Sequence, residues 1–160
     1  MVFIGEIVLQ VKIAQGAFKR LHATNDKIET WSSIQSILIA TANVSKILWP
    51  SEKHESRGEQ LRMLLSVEKT SLLSDRRFRN HFEHYDERID SWFNNQSSAV
   101  YVDLAMNPSM YTFGVIPSKH HRGYDPISNT LTFRDESLDL GAVLNALEEV
   151  GRSCSKYVLT

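Results

Sequence analysis

The chain has 160 residues, 42% of them hydrophobic and 23% charged, with a net charge of -1 and a pI near 6.6. That profile excludes a disordered chain and any global electrostatic pull on nucleic acid, so a polyanion would need a local patch or a dimer groove. The one cysteine, Cys154, excludes an intrachain disulfide and a cysteine-based zinc site, and reads as a small hydrophobe near the end of the last helix.

Taken in order, residues 2–22 place Ile4, Ile7, Val8, Val11, Ala14, Phe18 and Leu21 at helical spacing. The additional Leu9 and Ile13 widen the stripe, which predicts a helix covered on more than one side. Glu6, Gln10 and Lys12 interrupt this apolar stretch, and no basic leader precedes it, so neither a signal peptide nor a membrane span is expected. A cytoplasmic protein without membrane association follows as the expectation.

Residues 27–48 repeat the pattern with Trp31, Ile34, Ile37, Leu38, Val44, Ile47 and Leu48, and Pro50 ends it. SEKHESRGEQ reads as a polar loop leading into a short helix with Leu61, Leu64 and Leu65. Ser74 is the expected N-cap of the next helix, with Asp75 at its positive end.

That helix contains RNHFEHYDERIDSW. Phe78, Phe82, Tyr85, Ile89 and Trp92 form its apolar stripe. At about 100° per residue, Arg79, Glu83, Asp86 and Asp90 share one flank. Arg77, His81 and Arg88 share the other, and Asn80, His84 and Glu87 sit mid-face. A solvated, charge-laced face accounts for this arrangement. Asn80, a poor helix former, fits that account less well. Arg79 and His84 are about 140° apart around the axis, too far to pair on one helix, but able to flank a groove between two copies in a two-fold dimer.

AVYVDLAM and YTFGVI read as short strands, PSKHHRGYDPISN as a long polar loop, and NTLTFR as a third strand. Asp135 to Ser137 lead into a last helix over about 138–155, with Leu140, Val143, Leu144, Leu147 and Val150 inward. The expected whole is one mainly helical domain over 1–160. Its helical core spans about 2–94, a small antiparallel β insertion about 99–134, and the C-terminal helix follows.

Arg79-Asn80-x3-His84 resembles the Arg-polar-x3-His signature of the HEPN family (higher eukaryotes and prokaryotes nucleotide-binding domains). The resemblance covers roughly residues 1–95, and the last helix can be counted with it. It implies a four- to five-helix bundle, with the signature on a late helix. It also implies a metal-independent endoribonuclease that works as a homodimer, of the kind found in toxin–antitoxin and phage-defence systems. His84 would then be the general acid or base, Arg79 would hold the scissile phosphate, and Asn80 would position the phosphate or orient His84. The alternative the family allows is a catalytically inactive binding or regulatory module with an antitoxin-like protein or nucleotide partner.

Lys119, His120, His121 and Arg122 form a compact basic cluster, either a solvated loop or extra RNA contacts. Arg57 could add a phosphate contact or cap a loop. His81 and His84 match no zinc motif, and His81, beside the apolar stripe, reads as a half-buried packing residue. No phosphate-binding or dinucleotide loop is present, so no metal or cofactor is expected.

Overall fold

The computed structural model describes residues 1–95, 101–107 and 120–157. The chain is mainly helical, with a small four-stranded mixed sheet before the final helix. It forms two compact units: Met1–Arg79 with Ala142–Thr160, and Asn80–Gly141.

The first unit is built on a helical hairpin, α1 (Val2–Ala23) and α2 (Lys27–Leu48). Both match the apolar periodicity. Asp26 caps α2 by accepting the Glu29 N–H at 2.7 Å, which satisfies one of the orphan donors of the first turn. α6 (Leu140–Cys154) packs its second half on α1, where Gly151 meets Val11 and Gln15 donates to Glu148 at 3.1 Å. Leu9 and Ile13 nonetheless stay 50% and 41% exposed, so α1 is covered less completely than its width predicts.

The polar segment after Pro50 is largely helical rather than a loop. A 3-10 turn (Glu52–His54) runs into α3 (Glu55–Leu65). Its buried positions are Gly58, Arg62 and Leu65, so the inward face has helical spacing but only one apolar residue, which conceals it from a hydrophobicity pattern. Gly58 packs on Pro50, and a Cβ there would stand 2.8 Å from the Leu48 carbonyl. Arg62 donates to that same carbonyl and lies over the Trp49 ring. Ser66, at φ 54°, closes α3 in the left-handed conformation.

The signature helix starts later than expected. Ser74 closes a 3-10 turn (Leu72–Ser74) instead of capping. Asp75 does the capping, accepting the Arg77 N–H at 2.9 Å and pairing with its guanidinium at 2.7 Å. The helix is also divided at His84 into α4 (Arg77–Glu83) and α5 (Tyr85–Asn95). The backbone ladder runs on through the division: His84 N–H donates to the Asn80 carbonyl and Arg88 N–H to that of His84. Of the apolar stripe, Phe78 and Trp92 are buried, whereas Tyr85 is 52% exposed.

In the second unit β1 (Ala105–Met106) runs parallel to β2 (Arg122–Asp125). β3 (Thr130–Phe133) and β4 (Glu136–Asp139) follow antiparallel. Of the expected strand 99–106, residues 99 and 100 lie outside the described residues and β1 takes only Ala105–Met106 of the rest, and the strand expected at 111–116 lies outside the described residues. The sheet is mixed rather than antiparallel because of β1. It gains two strands where a loop and a helix lead-in were expected. Arg122–Asp125 pairs with β3 despite its polar composition. Glu136–Asp139 follows a two-residue turn that Arg134 makes possible at φ 52°. Leu131 and Phe133 point inward from β3 in the alternation the sequence predicts. Among the described residues, no helix is long and apolar enough to cross a membrane.

Candidate functional site

The signature residues occupy different settings. Arg79 is half-buried on α4, close enough to Arg76 to lower its proton affinity, after the larger effect of burial. Arg76 itself is a structural tie, donating to Ser45 Oγ at 3.0 Å and to the Trp49 carbonyl. Asn80 is half-buried, and its carbonyl accepts the His84 N–H at 3.0 Å. The His84 side chain is 54% exposed at the junction of α4 and α5, with Nδ1 3.7 Å from Glu87. Glu83, Asp86 and Glu87 are exposed around it.

Arg57 places its guanidinium 4.4 Å from the Phe3 ring centroid, a packing contact in the first unit. Lys119 lies outside the described residues. The next three members of the basic cluster fold into the second unit, as the N-terminal end of β2 and its approach. His120 shares a 2.8 Å hydrogen bond with Thr132 Oγ1, lying across Gly123. Any side chain at Gly123 would collide with that ring, since a Cβ would come within 2.7 Å of it. Thr132 Oγ1 also lies 3.2 Å from the Gly123 carbonyl, which ties the His120 ring to the β2–β3 ladder.

His121 is 1% exposed among Trp92, Tyr101 and Phe133, and shares a 2.8 Å hydrogen bond with Tyr101 Oη. Burial pushes its pKa down to about 4 against the opposing pull of Asp103, so it is neutral at pH 7. Arg122 grips Asp103 bidentately at 2.9 and 2.5 Å. Burial opposes the charge on each partner, and the pairing outweighs it: the carboxyl is held below its usual range and the guanidinium above. Two of its described members, His121 and Arg122, thus present a neutral ring and a compensated charge where the composition promises positive potential.

A constellation the sequence does not reveal lies within the second unit. His81 from α4, Arg88 and Ser91 from α5, and Phe133, Arg134, Asp135 and Glu136 from the β3–β4 hairpin line a cleft of about 330 Å³. The His81 ring stacks on Phe133 at 3.9 Å and 7°, and Nε2 lies 3.1 Å from Glu136. Burial lowers the His81 pKa; Glu136 opposes this, and the charges of Arg88 and Arg134 add to it. Half of the cleft has a sequence signal, because His81 and Arg88 fall on one helical flank. The hairpin half has none, since Glu136 is 55 positions from His81. Among the described residues, no three His, Cys, Asp or Glu side chains converge as a metal site would need.

No protein-family model matches this chain, and neither a curated protein nor a solved structure is similar to it.

Proposed function

We infer that the chain is a HEPN-type endoribonuclease, metal-independent, cytoplasmic, and active as a homodimer in which two copies of the signature face one RNA strand. The observation that carries this reading is the Arg79-Asn80-x3-His84 signature in a helical setting, with its histidine accessible to solvent. His84 takes the proton of a ribose 2′-hydroxyl. The freed oxygen attacks phosphorus, the bond to the 5′-oxygen breaks, and that oxygen is protonated by the partner copy's imidazolium. A histidine suits both steps because its unperturbed pKa lies near neutrality. Arg79 holds the phosphate and stabilises its added charge, and Asn80 positions the phosphate or orients His84. The products are a 2′,3′-cyclic phosphate and a 5′-hydroxyl.

A second reading, a HEPN-like module that binds a protein instead of cleaving RNA, draws on the exposed Glu83, Asp86 and Glu87 beside His84. Their charge opposes entry of a polyanion and suits a basic partner surface. Incubation of the protein with mixed single-stranded RNA in EDTA separates the two readings. Cleavage that leaves cyclic phosphate ends, and is lost in both His84→Ala and Arg79→Ala, is the expected result. Wild-type cleavage no greater than that of the two variants overturns the nuclease reading.

A further inference from the structure

The second unit treats its charged side chains unequally. Arg122 has Asp103, and His81 has Glu136. Arg88 and Arg134 have no carboxylate within 4 Å among the described residues, although both line the cleft and both are half-buried. Each also buries its Nε–H without an acceptor. The side chain of Arg88 donates to no described residue. Arg134 uses one nitrogen on the Arg88 carbonyl at 2.5 Å and reaches Ser91 Oγ at 3.4 Å with the other. The two guanidinium groups also repel one another: burial, and then the Arg88 charge, weaken proton binding by Arg134.

Two half-buried guanidinium groups on one cleft, with no carboxylate at ion-pair distance among the described residues, are unfavourable as they stand, because partial desolvation removes the water that would screen them. Planar fork donors of this kind match the oxygens of a phosphoryl group. The walls suit the same ligand: Ser91 offers a hydroxyl at the cleft, and the carboxylate of Glu136 is occupied by His81. Asp135, exposed at the hairpin turn, acts on Arg134 through its charge without reaching ion-pair distance, which tempers the positive potential but does not fill the site.

We propose that the cleft between α5 and the β3–β4 hairpin binds a phosphoryl oxyanion, with Arg88 as its principal ligand and Arg134 as the second. At about 330 Å³ it holds a phosphate with room for an attached sugar. The site is independent of the Arg79–His84 chemistry and stands or falls without it.

Isothermal titration of the full chain at low ionic strength tests this, using inorganic phosphate, a nucleoside 5′-monophosphate and a 5′-phosphorylated oligonucleotide as separate probes. Wild type binds phosphate. Arg88→Gln weakens it at least about tenfold, the loss of a charge-assisted hydrogen bond, and Arg88→Lys weakens it less. His84→Ala binds as wild type does, which keeps this result distinct from the nuclease test. Equal affinity for all three probes assigns the site to the phosphoryl group itself, and tighter binding of the nucleotide or oligonucleotide assigns it to a phosphorylated nucleic-acid end; both uphold the proposal. Because Arg134 also ties the hairpin to α5, Arg88→Gln, which breaks no described hydrogen bond, is the deciding variant. No binding of any probe by wild type at millimolar concentration, or unchanged affinity in Arg88→Gln, overturns it.

Discussion

Acid should weaken this protein through one buried ring. His121 is neutral and 1% exposed, with its pKa pushed down to about 4 by burial. In the unfolded chain an ordinary histidine titrates near 6.5. Above about pH 6.5 neither state binds the proton, and the stability contributed by the neutral buried ring is fully present. Below it the unfolded chain takes up a proton that the folded protein refuses until about pH 4, so stability falls across that window and levels off beneath it. The slope for one proton approaches about 1.4 kcal/mol per pH unit, and the whole window amounts to about 3 kcal/mol. His81 shifts in the same direction and adds to the acid loss, whereas the depressed carboxyl of Asp103 contributes only below the window. Urea unfolding at pH 7, 6, 5 and 4.5, for wild type and His121→Gln, isolates the His121 share. Wild type should lose more stability than the variant as the pH drops, whatever the variant's starting stability. Parallel curves would refute the reasoning, because they would mean that His121 titrates alike in the folded and unfolded chain.

The Asp103–Arg122 pair gives a second prediction. Its side chains are only 16% and 13% exposed, so Asp103→Asn strands a guanidinium and should cost about 3–5 kcal/mol in urea unfolding at pH 7. The double variant Asp103→Leu/Arg122→Met should recover much of that loss, and equal losses in the two variants would contradict the explanation. Cys154 supplies a third. Burial raises its thiol pKa to about 11, so a thiol-reactive chromophore at pH 8 should label it only as fast as the protein opens. Immediate stoichiometric labelling of the folded chain would show the thiol to be accessible.

What the sequence discloses follows from where its apolar residues lie. α1, α2 and the inner face of α6 were legible because Ile, Leu and Val recur along them at helical spacing, and Leu140, Val143, Leu144, Leu147 and Val150 are all buried. α3 was half legible because Gly58 and Arg62 hold inward positions that a hydrophobicity pattern assigns to solvent. β2 and β4 were missed for a related reason. Each is four residues long and mostly polar, and what holds them is remote: the Asp103 grip on Arg122 and the pairing of both strands with β3. The turn between β3 and β4 carries no glycine signal, since an arginine takes the positive φ there.

The candidate sites divide along the same line. A short linear signature such as Arg79-Asn80-x3-His84 is visible in the sequence, because its residues are neighbours on helical turns. The meaning of a charge is not visible there, because it depends on the side chain that meets it. Lys119-His120-His121-Arg122 looks like a compact basic cluster, yet His121 is neutral and Arg122 is compensated. Arg88 sits in a run rich in acids, DERID, and looks compensated, yet no carboxylate reaches it among the described residues. The reason lies in helix geometry. Asp86, Glu87, Asp90 and Arg88 are one or two positions apart, and residues at that spacing point in different directions around a helix. Arg134, which donates to the Arg88 carbonyl and whose proton binding is weakened by burial and then by the Arg88 charge, has the same sign and arrives on a hairpin 46 positions away. A like charge brought near by a remote hairpin is therefore the feature least available to sequence reading.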